Sequence, residues 1–259
     1  NSMTNDIFNI TMAGLTDIGL LRKKNEDCIG FNQDLGVAVL ADGMGGHHSG
    51  EIAAHMAVEL VLEKLENIAG GDKSNSITGS QLLEYISNTI SYSNTMIHKT
   101  SKALKSRKGM GTTLVATIIK GTQIYAGYAG DSRLYLFRDK ELERITTDHN
   151  IVQDLVDRGF YTKEKAKLAS IDHVVTRALG NRPDIKVDTL QRDIRDGDLL
   201  LLCSDGLSNM LADWLIAETL RERKKRLDDT ATKLIELANH SGGKDNISVI
   251  LIQVQKIST

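Results

Sequence analysis

Strand-like and helix-like stretches are segregated along this chain, and no other feature restricts its fold as much. ITMAGLTDIG, EDCIGFN and GVAVLAD open it as short strands. Residues 50–68 then read as a helix, with Ala53, Ala57 and Val61 on one stripe and Glu59, Glu63 and Glu66 elsewhere. GGDKSNS is a loop by composition. The spacing of Leu82, Ile86, Ile90 and Ile97 predicts a second long helix over 79–106. TTLVATIIKG, TQIYAGYAGD and RLYLFRD return to strands, separated by Gly121 and by Asp131-Ser132, and read as a meander of hairpins. A helix over 151–158 precedes GFYTKEKAKLASIDHVVTRALGNRPD, which is polar and broken. IKVDTLQ and DLLLLCSD resume the strands, helices follow near 212–223 and 227–240, and NISVILIQVQ closes the pattern. Runs of strands beside runs of helices argue against a parallel doubly wound sheet. They predict an α+β layered domain of antiparallel sheets covered by helices.

No repeat or linker divides the sequence, so a single domain is expected over 1–259, with residues 148–180 as a lid or flap subdomain. Asn1 and Ser2 read as a remnant ahead of a start at Met3. At 259 residues the chain is near the upper limit of a single core. Its net charge of −2 gives no electrostatic reason to expect nucleic acid or an anionic membrane as partner. With 22 glycines and one proline, the connections are expected to be glycine turns. Two cysteines, Cys28 and Cys203, cannot make a disulfide framework and fit a reducing cytosol. No stretch approaches the roughly 18 apolar residues of a membrane span, and no secretory signal opens the chain. The expected location is cytoplasmic.

Four acids fall in one kind of place. Asp42 ends GVAVLAD and Asp205 ends LLLLCSD, each followed by glycine; Asp131 ends QIYAGYAGD; Asp245 stands in GGKDN just before a strand. A carboxylate at the end of a buried strand is costly unless it is paired or bound to a cation. A turn or helix cap explains one such Asp; four, each beside glycine, serine or a glycine-rich turn, suggest convergence at a sheet edge. An all-oxygen cluster without a Cys or His ligand pattern favours hard cations such as Mg²⁺ or Mn²⁺. Glycine after Asp42 leaves a backbone carbonyl free to approach an ion. Arg22, just before Glu26 and Asp27, offers a two-pronged fork for a phosphate.

TDIGLLRKKNEDC, VLADGMGGH, GMGTT, YAGDSRLYL, LLLCSDGL and GGKDNISVI, in this order over about 11–254, resemble the metal-dependent protein phosphatases, the PPM or type 2C family, and especially its bacterial members. The resemblance implies a four-layer α-β-β-α sandwich, two antiparallel sheets flanked by pairs of helices, with a metal cleft at one end and the flap beside it. It implies that Asp42 bridges two Mn²⁺ or Mg²⁺ ions, with the Gly43 carbonyl on one of them and Asp205 and Asp245 on the other. Glu26 would act directly or through water, Asp27 and Asn246 would support that shell, and Arg22 would hold the phosphate. Asp131 matches an acid associated with a third, weaker ion, to which Asp205 also contributes. Arg22, Asp42, Asp205 and Asp245 are then the catalytic set.

The implied reaction is hydrolysis of phosphoserine or phosphothreonine in proteins by direct attack of metal-activated water, reversing a Ser/Thr kinase. A monomer is expected. Animal members carry a histidine after the Asp-Gly pair as proposed proton donor; here Met44 stands there, leaving water, or His47 or His48, as candidates. Cys28 and Cys203 read as buried fillers whose nearness to the site could confer sensitivity to oxidation. Two other readings are weighed. DGMGGHHSG and RKGMGTT could cradle a nucleotide, but neither has the terminal Lys-Ser/Thr of a phosphate loop. A catalytically silent metal-binding pseudophosphatase, acting as a signalling module, is the alternative, against which Asp42, Asp205 and Asp245 are all present.

Overall fold

Apolar side chains in the central strands alternate between two faces, and both faces are buried, which is why LLLL and VAVLA read as unbroken runs. The computed structural model describes residues 7–45, 49–71, 74, 76–103, 109–162, 174–222 and 226–257. Its strands are β1 (Phe8–Asp17), β2 (Asp27–Asn32), β3 (Val37–Met44), β4 (Gly111–Thr112), β5 (Leu114–Lys120), β6 (Gln123–Ala129), β7 (Arg133–Arg138), β8 (Glu141–Arg144), β9 (Asp188–Asp193), β10 (Leu199–Cys203) and β11 (Ile247–Lys256). The helices are α1 (Ser49–Gly70), α2 (Gly79–Ala103), α3 (Ile151–Asp157), α4 (Asp205–Ser208), α5 (Asp213–Arg221) and α6 (Leu227–His240).

Two antiparallel sheets result. One runs β1-β11-β10-β7-β8; the other runs β2-β3-β5-β6-β9, with β4 added to the end of β3. Three apolar clusters separate four layers. Val37, Val39 and Ala41 of β3 face α1 and α2, packing with Ala53, Ala57, Val61, Leu82, Ile86 and Ile90. Ala38 and Leu40, on the other face, meet Leu134, Leu200, Leu202, Ile250 and Ile252 of the opposing sheet. Leu199, Leu201, Val249 and Leu251 turn outward onto Leu207, Ile216, Leu220, Leu234 and Ile235 of α4, α5 and α6. The segregated runs predicted antiparallel sheets covered by helices, and the α-β-β-α sandwich is the form of them that the family resemblance implied.

Several boundaries differ from the sequence reading. The long helices occupy Ser49–Gly70 and Gly79–Ala103, and residues 104–106 lie outside the described residues. The stretch 212–223 holds α5 at Asp213–Arg221, with a separate short α4 before it. Strand β9 starts at Asp188 because Ile185 and Val187 pack against the helix-side core instead of pairing in a sheet. The hairpin meander is corrected at one point. β5 and β6 pair, as do β7 and β8, but β6 and β7 lie in different sheets. Asp131-Ser132 is therefore a crossover between sheets, turned by Gly130 at φ 118°.

The flap falls partly outside the described residues, at 163–173. Its described ends hold α3, capped by the Asn150 side chain on the Gln153 N–H at 2.9 Å, and a returning arm tied down by the Asn150–Val175 and Thr112–Leu179 bridges.

Helix α2 lies so close to β6 that a Cβ on Gly127 would come within 2.4 Å of Ile86 Cγ2 and 2.9 Å of Ile90 Cδ1. Overpacking of this kind costs about 1–3 kcal/mol. Gly127→Ala is therefore expected to lower the urea midpoint at unchanged m-value; a midpoint equal to the parent's would show that α2 is not seated this tightly.

Candidate active site

Backbone contacts that exclude any side chain bring the acids together at one end of the sandwich. β2 and β3 pair in a register that sets Asp27 opposite Asp42. Strand β3 does not stop at Asp42 but runs on to Met44, paired with Thr112 and Gly111 of β4. A Cβ on Gly43 would lie 2.2 Å from the Gly50 carbonyl oxygen and 2.5 Å from that of Glu26, so glycine is required here by the N-terminus of α1. Gly206, after Asp205, would place a Cβ 1.9 Å from the Asn246 carbonyl oxygen. Gly19, at φ 79°, would place one 2.2 Å from that of Asp245. The segments carrying Asp42, Glu26, Asp205 and Asp245 are thus stacked backbone on backbone.

Asn246 organises the loop that bears Arg22 and Glu26. Its Oδ1 accepts from the Glu26 N–H at 2.8 Å, and its Nδ2 donates to the Ile18 and Lys24 carbonyls at 2.9 and 2.8 Å. Arg22 Nη2 lies 2.6 Å from Asp245 Oδ2, with both side chains partly exposed. Partial burial works against the Arg22 charge, but Asp245, then Asp42 and Asp205, hold its pKa above the usual value. Arg22 is thus the basic group beside the acids.

Asp27 is buried, 5% exposed, and its Oδ2 accepts from Ser204 Oγ at 2.8 Å and Ser248 Oγ at 2.6 Å. Burial pushes its carboxyl up to about 7, with the charges of Asp205 and Asp245 adding and the two hydroxyls opposing. Removal from water pushes Asp42 well above the carboxylate range, and Asp27, Asp205, Asp131 and Asp245 all add to the shift. Asp131, 4% exposed, is raised to about 8 by burial, then by Asp205 and Asp148. These shared fields place Asp42, Asp131, Asp205 and Asp245 in one cluster.

Several residues that position the cluster were not singled out from sequence. The Asp42 carbonyl accepts from the Thr113 N–H at 2.9 Å and Thr112 Oγ1 at 3.0 Å, and the Asp42 N–H donates to Thr113 Oγ1 at 3.1 Å. Both threonines stand in GMGTT. Thr113 and Ser132 hydroxyls meet at 2.7 Å across the β6–β7 crossover. Arg133 grips Asp148 with Nε and Nη2 at 2.7–3.2 Å, and its Nη1 donates to Tyr135 Oη at 2.8 Å. His47 and His48 lie outside the described residues. Met44 occupies the next position of β3, where it brings no titratable proton.

Among the described residues, no three His, Cys, Asp or Glu side chains form a ready-made metal-holding group. The donor set nevertheless fits a hard cation. Asp42 and Asp131, whose carboxyls are raised by burial and then by neighbouring acids, would both be relieved by a divalent ion held on carboxylate oxygens.

The surroundings of the cysteines argue against the expected sensitivity to oxidation. Cys28 and Cys203 are buried, and burial first, then neighbouring acids, pushes their thiols up to about 11 and about 12. A thiol with so little thiolate is a poor target for peroxide. Millimolar peroxide is expected to leave both thiols titratable after unfolding; their early loss in the native protein would refute this burial.

The raised acids also set a pH dependence. In the folded chain Asp27 and Asp131 hold protons up to about pH 7 and 8, whereas in the unfolded chain such groups ionise near pH 4. Between these limits the folded state binds more protons, so stability of the metal-chelated protein falls as pH rises through that window. Asp131→Asn is expected to flatten the decline and to raise Tm at pH 8 in chelator, by an equivalent of about 1 kcal/mol or more. Equal slopes for the two proteins would remove Asp131 from the cluster.

The profile of the family described as Protein phosphatase 2C matches residues 23–248. The serine/threonine phosphatase stp of Listeria monocytogenes is 37% identical over 241 residues, 92% of this chain and 93% of that protein. The crystal structure of the Mycobacterium tuberculosis serine/threonine phosphatase PstP/Ppp superposes with a TM-score of 0.85 at 35% identity, covering 95% of this chain and 99% of that one. A structure of the PstP catalytic domain in complex with two manganese ions gives a TM-score of 0.81 at 35% identity over 96% and 99% of the two chains. With its two sheets, its order of motifs and its cluster of acids, the chain belongs to the protein phosphatase 2C family.

Proposed function

We propose that this chain is a metal-dependent protein phosphatase that hydrolyses phosphoserine and phosphothreonine in proteins. The observation that carries the reading is the meeting of Asp42, Asp131, Asp205 and Asp245 in one electrostatic cluster beside Arg22. Its similarity to relatives named serine/threonine phosphatases, one solved with two manganese ions, supports it. Asp42, the Gly43 carbonyl, Asp205 and Asp245 would hold two Mn²⁺ or Mg²⁺ ions, with Glu26 acting directly or through water. Asp131, with Asp205, would take a third and weaker one. When bound, such ions supply an activated water and positive charge for in-line displacement at phosphorus.

The protein's own groups do the rest. Arg22 presents its fork to the phosphoryl oxygens, and its contact with Asp245 sets the direction of approach. Asp27 receives hydroxyl hydrogen bonds from Ser204 and Ser248, which flank the Asp205 and Asp245 segments, and so fixes their spacing. Asn246 fixes the Arg22–Glu26 loop. Met44 has no proton to give, so the departing serine or threonine alkoxide takes one from water in the cleft or from His47 or His48. The arm around 174–180 borders the cleft and contributes to substrate choice. A Ser/Thr kinase is the opposing activity this reading requires, and a cytoplasmic monomer is the form we assign to it. No helix among the described residues is long and apolar enough to cross a membrane.

Phosphate release from a phosphothreonine peptide is expected with Mn²⁺ or Mg²⁺, to vanish in chelator, and to fall to that background in Asp205→Asn. Arg22→Ala is expected to lose about 10- to 100-fold in kcat/KM, the scale of a charge-assisted contact to the substrate. If calorimetry shows metal bound but no peptide turns over, the chain is a silent binding module and the proposal is wrong.

A further inference from the structure

His149 is buried, 4% exposed, and lies 18 residues from Asp131 in sequence, yet it holds the residue that precedes Asp131 from two sides. The His149 N–H donates to the Gly130 carbonyl at 2.9 Å. The Gly130 N–H donates to His149 Nδ1 at 3.1 Å. Both backbone polar groups of Gly130 are therefore spent on one residue. Gly130 needs such a clamp, because it adopts φ 118° and sits where the chain leaves β6 for the other sheet.

The ring itself is fixed on every side. With Nδ1 accepting, the ring proton is on Nε2, which faces Asp188 Oδ2 at 3.0 Å. Arg177 Nη1 lies 3.1 Å from Nε2 and 3.1 Å from Asp188 Oδ1, bracing that carboxylate. Tyr128 stacks on the ring at 5.1 Å between centroids. Burial first, and then Arg177, lower the His149 pKa, which keeps Nδ1 available as an acceptor at neutral pH. The other side of His149 meets the arm returning from the flap: its carbonyl accepts from the Thr176 N–H at 2.8 Å. Arg177, on the same arm, reaches the ring. A single buried side chain thus joins the Asp131 turn, the edge strand β9 and the flap arm.

We propose that His149 is a positioning residue for Asp131, aiming that carboxylate toward Asp205 through the Gly130 clamp and registering the flap arm against it. The inference rests on the reading of Asp131 as a site for a third ion. His149 itself touches neither substrate nor ion; it acts through Gly130, in the manner of outer partners whose loss costs roughly 10- to 100-fold in metal affinity.

Two conservative variants separate the contacts. Asparagine places its Oδ1 where Nδ1 stands and preserves the bond to Gly130. Glutamine places an amide nitrogen near Nε2, preserving the link to Asp188 and leaving the Gly130 N–H without its acceptor, while the backbone bond from residue 149 to the Gly130 carbonyl stays. Mn²⁺ titration followed by electron paramagnetic resonance reads the ions without turnover, and amide exchange of Gly130 reads the clamp without metal. His149→Gln is expected to weaken the loosest Mn²⁺ site by about ten-fold or more, leave the tight sites unmoved, and lose Gly130 protection. His149→Asn is expected to keep all three near the parent values.

If Asp131→Asn weakens the loose site while His149→Gln does not, the inference is overturned and the third-ion reading stands. If neither weakens it, both are wrong. If His149→Gln does not fold, His149→Asn decides: a folded Asn variant without the loose site refutes the clamp.

Discussion

Carboxylates repel one another, and this fold forces several into one place before any cation can reward it. Burial first, and then four neighbouring acids, raise the Asp42 carboxyl. The closeness is enforced by main chain. Gly43 against Gly50 and Glu26, Gly206 against Asn246, and Gly19 against Asp245 are approaches in which a single methyl group would collide with a carbonyl. Such contacts cannot relax by turning a side chain. They persist because the strands that lead into them are anchored in cores on both faces, so sliding any one strand disrupts two apolar layers.

The acids do not all have the same standing. Asp27 is wrapped by two serine hydroxyls and so deeply buried that its carboxyl titrates near neutrality. It is a poor candidate for first contact with an ion and a good one for tying β2 to the starts of α4 and β11. Asp245 and Arg22 lie at the solvent edge, where a substrate arrives. Burial therefore grades the cluster from a structural interior to a reactive rim, and Arg22 stands at the rim.

Much of this was legible in the sequence because its causes are local. The two sheets follow from strand runs buried on both faces, and the helices α1, α2 and α6 from apolar spacing. Asp42, Asp131, Asp205 and Asp245 were visible because a charge at the end of an apolar run is costly. The β6–β7 crossover was not legible: Gly130-Asp131-Ser132 has the composition of a hairpin turn, and only the Thr113–Ser132 contact and the φ of Gly130 reveal that it changes sheet. The reason for Gly43 was also only half visible. It permits a carbonyl to face an ion, but what requires it is the backbone of Gly50, seven residues away. His149 and the serines around Asp27 carry no pattern at all, since their partners are 19 to 221 residues distant.

The origins of the acids explain why inter-sheet packing matters to chemistry. Asp42 comes from one sheet, Asp205 and Asp245 from the ends of strands in the other, and Asp131 from the chain that passes between them. The separation of the carboxylates is thus the separation of the sheets at that end. It is set by Ala38, Leu40, Leu134, Leu202 and Ile250, which fill the space between layers about 10 Å apart. A site spanning two sheets inherits the stiffness of a close-packed interior, in which even one methylene is felt. On the proposed reading, the spacing of the ions would depend as much on the leucines between the sheets as on the acids that would hold them. The hydroxyl contacts to Asp27 and to the Asp42 backbone then act within the distance the core has already imposed.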